Sequence, residues 1–469
     1  MNARDHVRDD LWGTAGLGVS RCAALLLLVS TLLLAAPGAA GAATGDLTQP
    51  TGTAGCVSET GAGPCGDGHA LAGPWAVAVS PGGGNVYATA FEASAVDRFV
   101  RNTTSGAIFQ PAGIGGCVSE DGVGTCTSAN GLNGAYALAV SPDGDNVYVA
   151  SFTAGTVVRF NRNPTTGVLR QPDGAAGCIS ETGAPPCADG HALGQPYGMA
   201  ISPDGKTIYV TSTASDAVAR ITRNPTTGAI AQPAGTAGCI SDTGAGGCAD
   251  GHGLRDVYSV GVSPDSESVY VTAQGTNSVA RLDRNTTTGV VTQPGGPAGC
   301  ISETGAGNCA DGHALMGPTE VDLNPNGRSL YVAAYFSHAV VRLNRSPATG
   351  AITQPPGIAG CVSDTGAGPC ADGHGLLGPA GIVVSPDAKS VYAGSFDGNG
   401  IARFDRNRIS GAIVQPAGNT GCMNETGSDG CADGHAFSHP KGVAISGDGK
   451  SVYLASSTGD AVVRLKRVP

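Results

Sequence analysis

Residues Tyr197–Thr222 read YGMAISPDGKTIYVTSTASDAVARIT. A short apolar run, Tyr197–Ile201, leads into Ser-Pro-Asp-Gly-Lys and then into Thr207–Ser212, which is dense in β-branched and aromatic residues. Two strand-like runs around a Pro-Asp-Gly turn predict a β-hairpin. A polar loop follows, and then a third run, Ala217–Thr222. The turn Asn224–Gly228 (NPTTG) and the run Ala229–Pro233 (AIAQP) predict a fourth strand that proline ends. No part of the unit spaces its apolar residues as a helix would.

This unit recurs every 61 residues. Its register is easiest to follow in the linking segment CISETGAPPCADGH, Cys178–His191. The first cysteines are Cys56, Cys117, Cys178, Cys239, Cys300, Cys361 and Cys422; the second are Cys65, Cys126, Cys187, Cys248, Cys309, Cys370 and Cys431. Seven units without insertion or deletion predict an all-β, seven-bladed β-propeller with four antiparallel strands per blade. The chain stops at Ala461–Pro469, a third strand with no fourth, and Asp46–Pro50 (DLTQP) is a fourth strand with no blade before it. The N-terminal strand is therefore expected to complete the last blade. Closure protects the sheet edges, whereas an open solenoid would need atypical capping units.

Only 13% of residues are charged, about half the usual share. The net charge of −11 argues against nucleic acid or an anionic membrane as partner. Arg21 precedes the apolar run Ala23–Ala36, and small residues follow as far as Ala42. That pattern predicts a secretory signal over residues 1–42 and a single propeller over 43–469. The run is short for a membrane span, so no span is expected after signal removal. Regular cysteine pairs fit a secreted, extracytoplasmic protein with one disulfide per repeat. A monomer is expected.

At Ser202–Ile221 (SPDGKTIYVTSTASDAVARI) the chain resembles the YVTN-type propeller repeat. Over all seven units it is similar to the seven-bladed lactonase-like superfamily. That group includes 6-phosphogluconolactonase-like and muconate-cycloisomerase-like enzymes, and extracytoplasmic members without an assigned reaction. The resemblance implies the propeller and, as one possible activity, a lactonase-like hydrolase. It transfers no catalytic residue.

From the fourth strand to the next unit runs a loop of more than 20 residues, for example Thr51–Pro74, which a local disulfide would staple. Zinc on Cys, Cys, Asp and His is the competing reading. In the second repeat, however, the Asp-Gly-His positions are Ser128, Ala129 and Asn130 while both cysteines persist. No metal site is assigned and no cofactor is expected. Calcium is kept open through the acids Glu59, Glu120, Glu181, Asp242, Glu303, Asp364 and Glu425; their alternative role is to cap turns. The histidines His69, His191, His252, His313, His374 and His435 recur too evenly for one catalytic centre. Two arginine registers, Arg98 to Arg464 and Arg101 to Arg467, read as glue between blades.

Departures from the repeat mark the candidate site. Where other units carry small or apolar inner-strand residues, the fifth has Glu320 and Asp322. The same unit carries Tyr335 and His338, and the fourth carries Arg255 and Asp256. Trp75, Tyr136, Tyr197 and Tyr258 form a partial aromatic register. The expected pocket has Glu320, Asp322 and His338 as catalytic candidates and Arg255, Tyr197, Tyr258 and Tyr335 as ligand-binding candidates. The first functional expectation is a secreted, disulfide-stapled binding or structural module. Its partner would be a protein, a glycan or a small molecule on the propeller face. The alternative is a lactonase-like hydrolase with a polar pocket at the channel mouth near blades four and five.

Overall fold

The computed structural model describes residues 43–122 and 125–469; the proposed signal segment 1–42 lies outside them. Seven sheets form seven blades. Their inner strands are Pro74–Val79, Ala135–Val140, Pro196–Ile201, Val257–Val262, Pro318–Leu323, Pro379–Val384 and Pro440–Ile445, which define blades 1 to 7. Each inner strand packs on those of both neighbouring blades, and blade 7 packs on blade 1, so the ring is closed. The second strand of every blade is buried along its whole length. It lies mid-sheet with a blade on either side, which is why both of its faces are apolar.

The N-terminus closes the ring. Leu47–Thr48 and Cys56–Ser58 both pair antiparallel with the third strand of blade 7, Ala461–Arg467. Val57 enters the core shared by blades 7 and 1.

The linking segment differs from the long loop expected. In blade 3 the fourth strand comes in two pieces. Ile230–Ala231 pairs with the end of Ala217–Arg223, and Cys239–Ser241 pairs with its beginning. Pro233 stops the first piece, because proline has no N–H for the ladder. A turn at Gly235–Ala237, opened by Gly235 at φ +62°, bulges out before the second piece resumes the edge. Ala249–Asp250 then adds a parallel strand outside it. The disulfide Cys239–Cys248 ties that strand to the edge, and all seven repeat pairs are bonded in this way. Among the described residues every cysteine is in a disulfide, which leaves no thiolate for zinc.

The acids in this segment are occupied by backbone. Asp242 accepts the Leu254 N–H at 2.8 Å and Asp364 that of Leu376 at 2.7 Å. Glu59, Glu120, Glu181, Glu303 and Glu425 accept the equivalent N–H in their own repeats. They cap the turns of their own repeats. At the histidines the backbone is the functional part: Gln232 of blade 3 exchanges two 2.8 Å hydrogen bonds with the His191 peptide.

Both arginine registers join blades. Between blades 4 and 5, Arg345 donates to the Tyr270 hydroxyl at 2.7 Å and forks onto Asp265 at 2.7 and 3.0 Å. The Tyr270 hydroxyl donates in turn to the Gly350 carbonyl at 2.6 Å. The same arginine–tyrosine pair recurs at all seven joints. At the joint of blades 6 and 7 the acceptor for Tyr392 is the Gly45 carbonyl, supplied by the N-terminal segment. The buried arginines of the second register are stable here because tyrosine hydroxyl, carbonyl and side-chain oxygens accept from the guanidinium.

Candidate functional site

The second residue of each inner strand faces the channel mouth. In blades 1 to 4 it is Trp75, Tyr136, Tyr197 and Tyr258. Their ring centroids follow one another at 4.3, 4.2 and 4.1 Å, each pair tilted by 43–49°. Phe91 and Phe152 support the arc from behind. Blades 5, 6 and 7 place Thr319, Ala380 and Lys441 at the same position. A cavity of about 350 Å³ lies between the aromatic arc and these three blades, lined also by Glu320, Gln274, Tyr335 and Phe336.

Lys441 is the only cation among the described lining residues. Its Nζ sits 4.1 Å from the centre of Trp75 and 3.9 Å from that of Phe396. Burial lowers its pKa to about 8, against the pull of Asp397. The two ring faces favour the ammonium by about 0.5–2 kcal/mol.

Glu320 and Asp322 point from blade 5 toward the inner strand of blade 6. Glu320 Oε2 accepts the Ile382 N–H at 2.8 Å, and Asp322 Oδ2 accepts that of Val384 at 2.7 Å. Asp322 Oδ1 also accepts the Leu323 N–H at 2.8 Å. The narrow channel removes bulk water from both carboxyls even though neither is fully covered. Desolvation raises Glu320 to about 8 and Asp322 to about 6, and the backbone bonds oppose the rise. Glu320 is therefore mostly protonated at neutral pH, while Asp322 is mostly ionised.

The raised Glu320 pKa is also a statement about stability. The folded state keeps a proton that the unfolded chain loses above about pH 4.5. The contribution is complete below that pH and is lost as pH rises through about 8. Glu320→Gln keeps an acceptor for Ile382 but cannot ionise. Between pH 6 and 8, unfolding of the variant is expected to lack a slope of about 1.4 kcal/mol per pH unit that the natural chain shows. Denaturant titrations at several pH values read this out; parallel slopes in the two proteins would refute it.

The structure gathers only part of the expected set. Glu320, Tyr197, Tyr258 and Tyr335 line one cavity, and Asp322 follows Glu320 along the same wall. His338 is absent from the lining. Its Nδ1 accepts the Gly378 N–H at 2.9 Å, as Asn277 and Asn399 accept from blades 5 and 7. Arg255 lies at the rim and donates to the Gly275 carbonyl of its own blade at 2.6 Å. Lys441 was not among the expected residues, although it shares the register of Trp75. Tyr335 is pushed up to about 12 by burial and by the Asp397 carboxylate beside it.

The family profile described as "Lactonase, 7-bladed beta-propeller" matches residues 69–241. No curated protein matches the chain. Similar solved structures include the "putative 6-phosphogluconolactonase" of Bacteroides uniformis, 19% identical over 72% of this chain and 82% of that one, with a TM-score of 0.48. A second protein of that description, from Bacteroides fragilis, is 16% identical over 73% and 82%, with a TM-score of 0.49. A protein from Lactobacillus plantarum is 16% identical over 73% and 83%, with a TM-score of 0.51, and shares the fold. The chain is thus a disulfide-stapled, seven-bladed β-propeller in which residues 69–241 are similar to the family of seven-bladed lactonase propellers.

Proposed function

We propose that this protein hydrolyses a small lactone at the channel mouth, outside the cytoplasm. The observation that carries the reading is one cavity holding an aromatic arc, a desolvated carboxyl and a partly desolvated ammonium. The arc stacks against the faces of a ring-shaped substrate. Lys441 balances charge on the carbonyl oxygen as water adds. Glu320, once ionised, takes the proton of that water and returns it to the ring oxygen as the C–O bond breaks. The product is the open hydroxy acid. The family match supports this reading, and seven disulfides suit an oxidising compartment. Among the described residues no helix is long and apolar enough to cross a membrane.

Turnover of a lactone panel, followed by acid release at constant pH, is the test. The expected kcat/KM is bell-shaped and peaks near pH 8, because Glu320 must be ionised while Lys441 keeps its proton. Glu320→Gln is expected to lower it by about 10²–10⁴, and Lys441→Met by about 10²–10³. Turnover that survives both substitutions rules out this mechanism. A second reading has its own support: Glu320 Oε2 and both Asp322 oxygens already accept backbone N–H groups. On that reading the carboxyls hold blade 5 to blade 6, and the mouth binds a ring without turning it over.

A further inference from the structure

Beside the mouth, blades 5 and 6 carry three large apolar side chains in the open: Phe336 is 59% exposed, Met316 47% and Leu377 38%. They sit on one face. Phe336 donates its N–H to the Met316 carbonyl at 3.1 Å, and its ring covers Gly317. Leu377 precedes Gly378, and a Cβ on that glycine would lie 2.9 Å from the Tyr335 ring. Tyr335 and Phe336 meet edge to face, with centroids 5.1 Å apart. The repeat does not require these residues. Where blade 5 has Phe336, other blades carry Glu92, Thr153, Gly275 and Asp397; where it has Met316, others carry Asn133, Gly194 and Ser438. Exposed apolar groups cost solubility and recur where something covers them.

The lip is continuous with the cavity, because Phe336 belongs to both and packs edge to face on Tyr335 of the lining. The wall of the cavity opposite the aromatic arc therefore runs outward as an apolar surface. A cavity of about 350 Å³ suits a ligand built on one small ring, and whatever the ring carries on its outward side meets the lip. We propose that the ligand is a small ring bearing a linear alkyl chain, with the ring at the arc and the chain laid across Phe336, Met316 and Leu377. This rests on the mouth being the binding site, and it deepens the lactone reading by naming the substituent. One cation in the lining is a poor match for a dianionic phosphate, so the selectivity comes from apolar contact.

The test uses the full chain carrying Trp12→Phe, which leaves Trp75 of the arc as its sole tryptophan. Trp75 emission is followed while δ-valerolactone and its alkyl-substituted homologues, methyl to heptyl, are added; turnover is measured in parallel. Full burial of a methylene is worth about fourfold in affinity, so on a half-open lip each added carbon is expected to tighten binding about twofold. Met316→Ser with Leu377→Ser is expected to flatten that dependence and leave δ-valerolactone binding as it was. A flat series in the unsubstituted protein, as when the lip seats a protein surface instead, overturns the proposal. So does a slope that both serines leave untouched. Chain-length dependence without turnover supports the lip and defeats the hydrolase reading. Turnover without chain-length dependence does the reverse, and no response to any lactone overturns both.

Discussion

Deleting residues 43–58 is expected to abolish the folded monomer. The loss reaches beyond two short strands. Ala461–Arg467 would lose its edge partners Leu47–Thr48 and Cys56–Ser58 and expose a seven-residue strand. Such an edge is a template for pairing with another chain. Tyr392 would lose the Gly45 carbonyl, Arg403 that of Thr44, and Arg464 that of Ala54. Each is a buried donor left without its acceptor, at about 1–3 kcal/mol. Val57 would leave the core of blades 7 and 1, at about 2 kcal/mol, and Cys65 would lose the partner that Cys56 provides. Together these costs rival the whole margin by which a domain is folded, about 5–15 kcal/mol. Size-exclusion chromatography with light scattering should show aggregate instead of a compact monomer. Added peptide 43–67 should restore part of the monomer by strand donation. A truncated chain that stays monomeric and melts with the natural one would show that the ring does not close through its N-terminus.

The ring was readable because its long strands carry a pattern, and its closure because the unit count leaves Ala461–Arg467 without a fourth strand and Leu47–Thr48 without a blade. Six-residue strands such as Thr207–Ser212 and the Pro-Asp-Gly turn before them declare a hairpin seven times over. The edge of each blade was not readable. Cys239–Ser241 has three residues and Ala249–Asp250 two, too few to show alternation; the first pairs back onto Ala217–Ala219 and the second onto Ile240–Ser241. The disulfide could be read from spacing; the strand it holds could not.

The site divides along similar lines. Glu320 stood out because carboxylates are rare in an apolar register, but its partner is a backbone N–H of the next blade, which no side-chain pattern reveals. His338 looked chemical by residue type. Its register, with Ser94, Asp216, Asn277, Asn399 and Asp460, already held a clue: these are short side chains with an acceptor atom, and each takes an N–H from the next blade. Lys441 was overlooked for the converse reason. Following the register by aromatic type ends at Tyr258, whereas the ring of positions continues through Thr319 and Ala380 to Lys441, which returns to Trp75.

Gly381→Ala is expected to destabilise the propeller by about 3 kcal/mol and to disturb the candidate site with it. The repeat suggests otherwise, since Ala76 and Ala137 occupy the same register in blades 1 and 2. The difference lies in the neighbours. A Cβ on Gly381 would meet the Lys441 carbonyl at 2.2 Å, a Val443 methyl at 3.0 Å and Glu320 Oε2 at 3.1 Å. The first contact is backbone, so the inner strand of blade 7 must move, and it carries Lys441. The third is the oxygen that accepts from Ile382, the residue directly after the substitution. One methyl group thus pushes on both polar groups proposed to act on a lactone. Gly447→Ala is the control, because a Cβ there meets nothing within 4 Å and its backbone is not left-handed. Restricting the unfolded chain should leave that variant unchanged or stabilised by up to about 1 kcal/mol. Denaturant unfolding of both variants, with lactone turnover measured alongside, separates the cases. If Gly381→Ala unfolds within about 0.5 kcal/mol of the natural chain, blades 6 and 7 do not approach this closely, and the placement of Lys441 beside Glu320's wall has to be redrawn.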